Sequence, residues 1–235
     1  MVARRLFALA VFASTLAACG ALIGIEGLTV DPLDASAATF DRQAPDVDVG
    51  GPQPKMDADV MIIPDGAVPP KRVFVTSTGT TGDLVAVTGA DSGVAGANAL
   101  CNAAASKLGK STWVAWLSDG TTNAIDRIPR KGPYVLLNGV KIADTYDMIA
   151  SGTLLHPINV TENDATAPNT NTLVWTGTRS NGVASDVHCG AWKRGDVGAL
   201  GAGGSYTESM SGRWTDLGPP HVLCNAIGRL YCFEQ

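Results

Sequence analysis

Four of the five cysteines, Cys101, Cys189, Cys224 and Cys232, constrain the fold of this chain more than any other feature. No two of them have the short C-x2-4-C spacing of a zinc site, and His156, His188 and His221 form no H-x3-5-H pair. An even number of cysteines in an exported chain reads as disulfides, with three connectivities open to four cysteines. The chain must therefore fold so that these four cysteines meet in two pairs.

Export is written at the amino terminus. Arg4 and Arg5 precede an apolar run, Leu6 to Ala18, that is too short to span a bilayer and ends in small residues. The run closes on Leu16-Ala17-Ala18-Cys19-Gly20, which resembles the lipobox of bacterial lipoproteins. That resemblance implies a signal peptide over 1–18, diacylglyceryl transfer to the Cys19 thiol, and membrane anchoring through several acyl chains. Gly20 stands where inner-membrane lipoproteins often carry Asp, so the expected location is the outer membrane or cell surface.

Residues 19–72 read as a tether. They hold seven of the 13 prolines, no tryptophan, and no cysteine beyond Cys19. Residues 20–70 carry a formal charge of −7, whereas residues 71–235 are neutral and the whole chain is −5. Such a Pro-rich, self-repelling segment is expected to be disordered; its most apolar piece, Val60 to Ile63, is the alternative binding segment. No region has the Lys and Arg excess that nucleic-acid binding needs.

From Val73 the texture changes, and a folded domain is expected over 73–235. Arg72 to Thr76 alternates as a strand, and Thr78 to Gly93 reads as a loop. Ala95 to Leu108 reads as a helix with Ala97, Cys101, Ala104, Ala105 and Leu108 on one face and Gly109 as its stop. Trp113 to Leu117 reads as a strand and Asp119 to Lys131 as a polar connection. Asn138-Gly139 is a type I′ hairpin signal between Tyr134–Leu137 and Val140–Ile142. Asp144 is the expected N-cap of a short helix with Tyr146 and Ile149 inward. Leu173 to Gly177 is another strand, residues 195–212 a Gly-rich loop, and Trp214 and Arg229 to Phe233 the last strands. Helices that do not follow every strand argue for an α+β domain with short antiparallel strands and two helices.

Several segments in this order resemble the C-type-lectin-like fold, and more closely its endostatin-like branch. They are Ala90-Asp91, Ala99-Leu100-Cys101, Trp113 to Ser118, Leu155-His156-Pro157, Val174 to Gly177, Cys189 with Trp192, and Leu230 to Phe233. The stretches VWTGT, WTD and LYCFEQ are also similar to those of bacterial surface lipoproteins that carry the domain of unknown function numbered 1554. The resemblance covers 73–235. It implies long loops and two nested bridges, Cys101–Cys232 and Cys189–Cys224.

No catalytic motif is present: there is no G-x-S-x-G, H-E-x-x-H or Walker loop, so a non-enzyme is expected. His156 is the residue a hydrolase of the cell envelope would use as base. Calcium takes six to eight oxygens. The Glu-Pro-Asn or Gln-Pro-Asp loop of sugar-binding lectins is absent, and Thr215 replaces the Asn of their Trp-Asn-Asp strand. No resident cofactor is expected, and Glu162, Asp164 and Asp216 are the residues that would hold calcium if they converge. Endostatin-like proteins can bind heparin through clustered Arg; Arg127, Arg130 and Lys131 are the densest basic group here, with a plain solvated face as the alternative. Trp113, Trp116, Trp175 and Trp192 could stack on sugar, and alternation puts Trp113 and Trp116 on opposite faces of a strand; burial in the core is the better reading for most of them. The expected partner is an extracellular glycan or protein, with a structural envelope role as the alternative.

Overall fold

The computed structural model describes residues 68–235; the signal peptide, Cys19 and most of the tether lie outside the described residues. Strand β1 (Lys71–Val75) begins one residue before the strand expected from Arg72. The architecture is mixed α and β, with few helices and short strands. Helix α1 (Leu84–Thr88) and helix α2 (Gly93–Ala104) precede β2 (Trp113–Ala115). The hairpin β3 (Tyr134–Leu136) and β4 (Lys141–Ala143) leads into α3 (Tyr146–Ala150). Then follow β5 (Leu173–Trp175), β6 (Leu200–Gly201), β7 (Gly203–Ser205), β8 (Val222–Leu223) and β9 (Tyr231–Glu234).

Five strands form one sheet in the order β2-β9-β1-β3-β4. The first and last strands are central neighbours, antiparallel, with Phe74 opposite Cys232. Strand β1 runs parallel to β3, so the sheet is not wholly antiparallel as expected. Two-residue alternation sorts side chains to the two faces, and both faces are buried. Val73, Val75, Trp116, Tyr231 and Phe233 enter one apolar core. Phe74, Trp113, Ala115, Leu117 and Cys232 enter the other, beneath α2.

The two disulfides are Cys101–Cys232 and Cys189–Cys224, the nested pair. The first joins α2 to β9. The second anchors a turn in which Cys189, Gly190, Ala191 and Trp192 all have φ between 51° and 61°. L-residues pay roughly 1–2 kcal/mol each for that left-handed conformation. Burial of Cys189 and Trp192 and a hydrogen bond from Ala191 N–H to His188 Nδ1 (2.8 Å) hold it in place.

Strand β2 lies at a sheet edge, and its outer backbone groups are sealed by side chains. Asn102 on α2 accepts from Trp113 N–H at 3.0 Å and donates to its carbonyl at 2.8 Å. Asn98, one turn earlier, accepts from Ala115 N–H at 3.0 Å. This blocks pairing by another strand.

Four local expectations change. Leu84–Thr88 is a helix inside the segment read as loop, capped by Asp83, which accepts from Ala86 N–H. The N-cap of α3 is Thr145, not Asp144; Asp144 instead receives Lys141 Nζ at 2.8 Å. The β3–β4 turn has a positive φ at Gly139 (82°) but not at Asn138, so it is not type I′. The Gly-rich stretch contains β6 and β7, whereas Trp214 lies in a turn.

The sheet's other covalently unassisted tie is ionic. Arg72 Nε and Nη2 reach the two Glu234 oxygens at 2.9 and 2.6 Å, and the Ser111 hydroxyl donates to the same carboxylate. Burial works against the Glu234 charge, but the Arg72 and Ser111 hydrogen bonds outweigh it and hold its pKa down at about 2, from an ordinary 4.5. Between those values the unfolded chain binds the extra proton. The stability that this pair contributes is therefore complete above about pH 4.5 and is lost as pH drops toward 2. Glu234→Gln is expected to flatten that part of the stability profile; an unaltered acid limb in urea titrations across pH would refute the assignment.

Candidate functional site

The loops that leave β5 and β7 enclose a polar cleft of about 460 Å³. One wall is a tight turn built on Arg179-Ser180-Asn181-Gly182. Arg179 N–H donates to the Val183 carbonyl (2.8 Å) and Gly182 N–H to the Arg179 carbonyl (2.9 Å), with Gly182 at φ 82°. Ala184 N–H is held by the Asn123 side chain at 3.0 Å. The opposite wall follows Trp214. Asp216 N–H donates to the Gly212 carbonyl, and Asp216 Oδ1 accepts from Gly218 N–H, both at 2.9 Å. Trp214 fixes this wall, because its ring is fully buried and its indole N–H reaches the Gly152 carbonyl at 3.0 Å.

On the first wall, Arg179 pairs with Asp186 at 2.7 Å, and both side chains remain open to solvent. His221 completes the lining with Pro219. The result is a concave surface with an Arg fork, two carboxylates, an imidazole and amide and hydroxyl groups on one rim. It can donate and accept hydrogen bonds at once, which suits a ligand rich in hydroxyl or amide groups.

Of the residues singled out from sequence, Asp216 lies in this cleft. Glu162 lines a separate groove, bonded to Ser77, and Asp164 sits at an exposed turn tip with φ 57°. The three do not share a site, and no cluster of three His, Cys, Asp or Glu side chains suited to a metal occurs among the described residues. Glu162, Asp164 and Asp216 therefore do not form the calcium set.

The basic group also comes apart. Arg127 sits on a one-turn 3-10 helix (Ala124–Arg127) and points inward. Its guanidinium donates to the Ala115 and Leu117 carbonyls (2.8 and 3.1 Å) and to Asn98 Oδ1 (2.6 Å). Burial pulls its pKa below the ordinary value, and the Asp119 carboxylate opposes that. It is a strap on the β2 edge and not an anion contact. Arg130 lies over the Tyr146 ring, 5.0 Å from its centroid, beside Asp126, and Lys131 is exposed.

All five tryptophans are buried, so neither Trp113 nor Trp116 is a sugar platform. The sheet is covered on both faces, and opposite faces of β2 are both core. His156 bonds to the adjacent Pro157 carbonyl at 2.9 Å and does not line this cleft. Arg179 and Asp186 were not singled out from sequence. Their one sequence signal is the Ser180-Asn181-Gly182 turn that lies between them, which marks a loop but no chemistry.

No protein-family model matches the chain, and no curated protein matches it in sequence.

Proposed function

We propose that this chain is a non-enzymatic surface lipoprotein, anchored at Cys19, whose carboxyl-terminal domain is lectin-like of the endostatin type and binds an extracellular glycan or protein in the Arg179–Asp216 cleft. Kinship with the lipoproteins that carry domain of unknown function 1554 is part of the same reading. The observation that carries it is the cleft itself, where exposed groups of both hydrogen-bonding senses converge on a rigid base. Support for the fold comes from the pairing of the first and last strands, the nested bridges and the loop-rich region between β5 and β8.

The test uses the full chain on glycan arrays and in pull-downs from intact cell surfaces, with fatty-acid labelling for the anchor. Binding is expected to fall about ten-fold or more in Arg179→Ala or Asp186→Ala, because a charged hydrogen-bonding group is lost, with the melting temperature unchanged. Labelling is expected to vanish in Cys19→Ser. A chain that binds nothing, while its deletion weakens the envelope, would replace this reading by the structural one.

A further inference from the structure

A second concavity lies on the far side of β1 from the first core. It is a groove of about 300 Å³, at the small end of ligand sites, bounded by Val87 of α1, Leu100, Ala103 and Ala104 of α2, and Leu230. Its walls are mainly apolar; Thr76, Thr78 and Thr80 line one side, and one carboxylate, Glu162, enters the lining. The backbone brings it there. Val75 N–H donates to the Val160 carbonyl at 2.9 Å, and Val75 pairs with Thr161. The turn that follows sets Glu162 beside Ser77, whose N–H donates to Oε2 at 2.8 Å and whose hydroxyl donates to Oε1.

Asn163 Nδ2 also reaches Oε1, at 3.5 Å; the three donors orient the carboxylate and leave part of its accepting capacity open, since two oxygens offer about four sites. No Lys, Arg or His nitrogen pairs with Glu162 among the described residues. Arg229, bonded to the Thr76 carbonyl close by, lies over the Tyr206 ring instead. An oriented carboxylate without a cation, at an apolar groove, is complementary to a cation that carries an apolar chain. A neutral alcohol would gain the apolar contact and one hydrogen bond to Glu162 but no ion-pair attraction, and a carboxylate would meet repulsion.

We infer that this groove binds a short alkylammonium, with the ammonium on Glu162 and the chain along Leu100 and Ala103. Such a group exists as a free amine or as a lysine side chain, and both are probed. The full chain is titrated with n-pentylamine, n-pentanol, pentanoate and Nα-acetyl-lysine amide, following calorimetry and the methyl resonances of Val87 and Leu100. Pentylammonium is expected to bind roughly ten-fold tighter than pentanol, through a charge-assisted hydrogen bond. Each methylene removed from the amine should cost about three- to four-fold. Acetyl-lysine amide binding as well as pentylamine would assign the groove to a lysine borne by a peptide, and weaker binding to a free amine. Glu162→Gln, which keeps an acceptor for Ser77, should bring the amine to the level of the alcohol, and Ala103→Phe should block both. Equal binding of amine and alcohol, an amine affinity indifferent to Glu162→Gln, or unmoved methyl resonances at saturating amine would each overturn the inference. The ligand series on the unaltered chain decides the matter even if a variant misfolds.

Discussion

Replacing Cys101 and Cys232 together by alanine should remove about 5 kcal/mol of stability, by the loop-closure entropy of a bridge of this span. The bridge joins residues 131 apart, and it ties α2 across the sheet to β9. Without it the unfolded chain regains the freedom of nearly the whole domain, while the native contacts stay almost the same. A domain of this size has only about 5–15 kcal/mol in total, so the variant is expected to be marginally folded at room temperature. The Cys189–Cys224 bridge spans 35 residues and should contribute about 4 kcal/mol by the same model. Its loss differs in kind, because it frees the left-handed turn at 189–192, whose backbone is unfavourable on its own. Urea unfolding of the two double-alanine variants measures both. A fall of less than about 1 kcal/mol for the outer pair would sink the entropic account, since the model predicts several times that.

What could be read from the residues, and what could not, follows from how each element is stabilised. Strands β1, β2 and β9 are legible because β-branched and aromatic residues alternate, and α2 because its small residues share a face. Helix α1 is not, because Leu84-Val85-Ala86-Val87 carries β-branched residues of poor helix propensity and is held by an Asp83 cap and packing. The parallel pairing of β1 with β3 leaves no local trace. Spacing alone leaves three disulfide connectivities open, and the observed bridges are those that the resemblance implies. Arg127 looks equivalent to Arg130 and Lys131 in a line of sequence. The single 3-10 turn beneath it rotates its side chain inward, onto the Ala115 and Leu117 carbonyls. In the cleft, Asp216 was marked by its place after Trp214. Arg179 and Asp186 gain their role only when two loops distant in sequence close on one space.

Gly204→Ala is expected to be the most damaging substitution of a single methyl. Strand β7 reads as loop in sequence because two of its three residues are glycine, yet it pairs with β5, with Gly204 opposite Val174. A Cβ at Gly204 would stand 1.9 Å from the Trp214 carbonyl oxygen, 2.4 Å from its carbon and 2.7 Å from Thr215 Cα. These are backbone atoms, so no side-chain rotation relieves the overlap. Either β7 leaves β5 or the Trp214–Thr215 segment moves. That segment cannot move alone, because Thr215 Oγ1 accepts from the Trp116 indole at 2.7 Å and the Thr215 carbonyl accepts from Thr176 Oγ1 at 2.6 Å. Overpacking commonly costs about 1–3 kcal/mol, and a clash between backbones belongs beyond that range. Gly120→Ala is the matched control. Its Cβ would meet nothing closer than His188 Nε2 at 3.4 Å, an ordinary contact, and its cost should stay within about 0.5 kcal/mol. Thermal unfolding of the two variants side by side tests the argument. A Gly204→Ala chain that melts with the Gly120→Ala control would mean that β7 does not pack on the Trp214 backbone, and with it would go the rigid wall that holds Asp216 in the cleft.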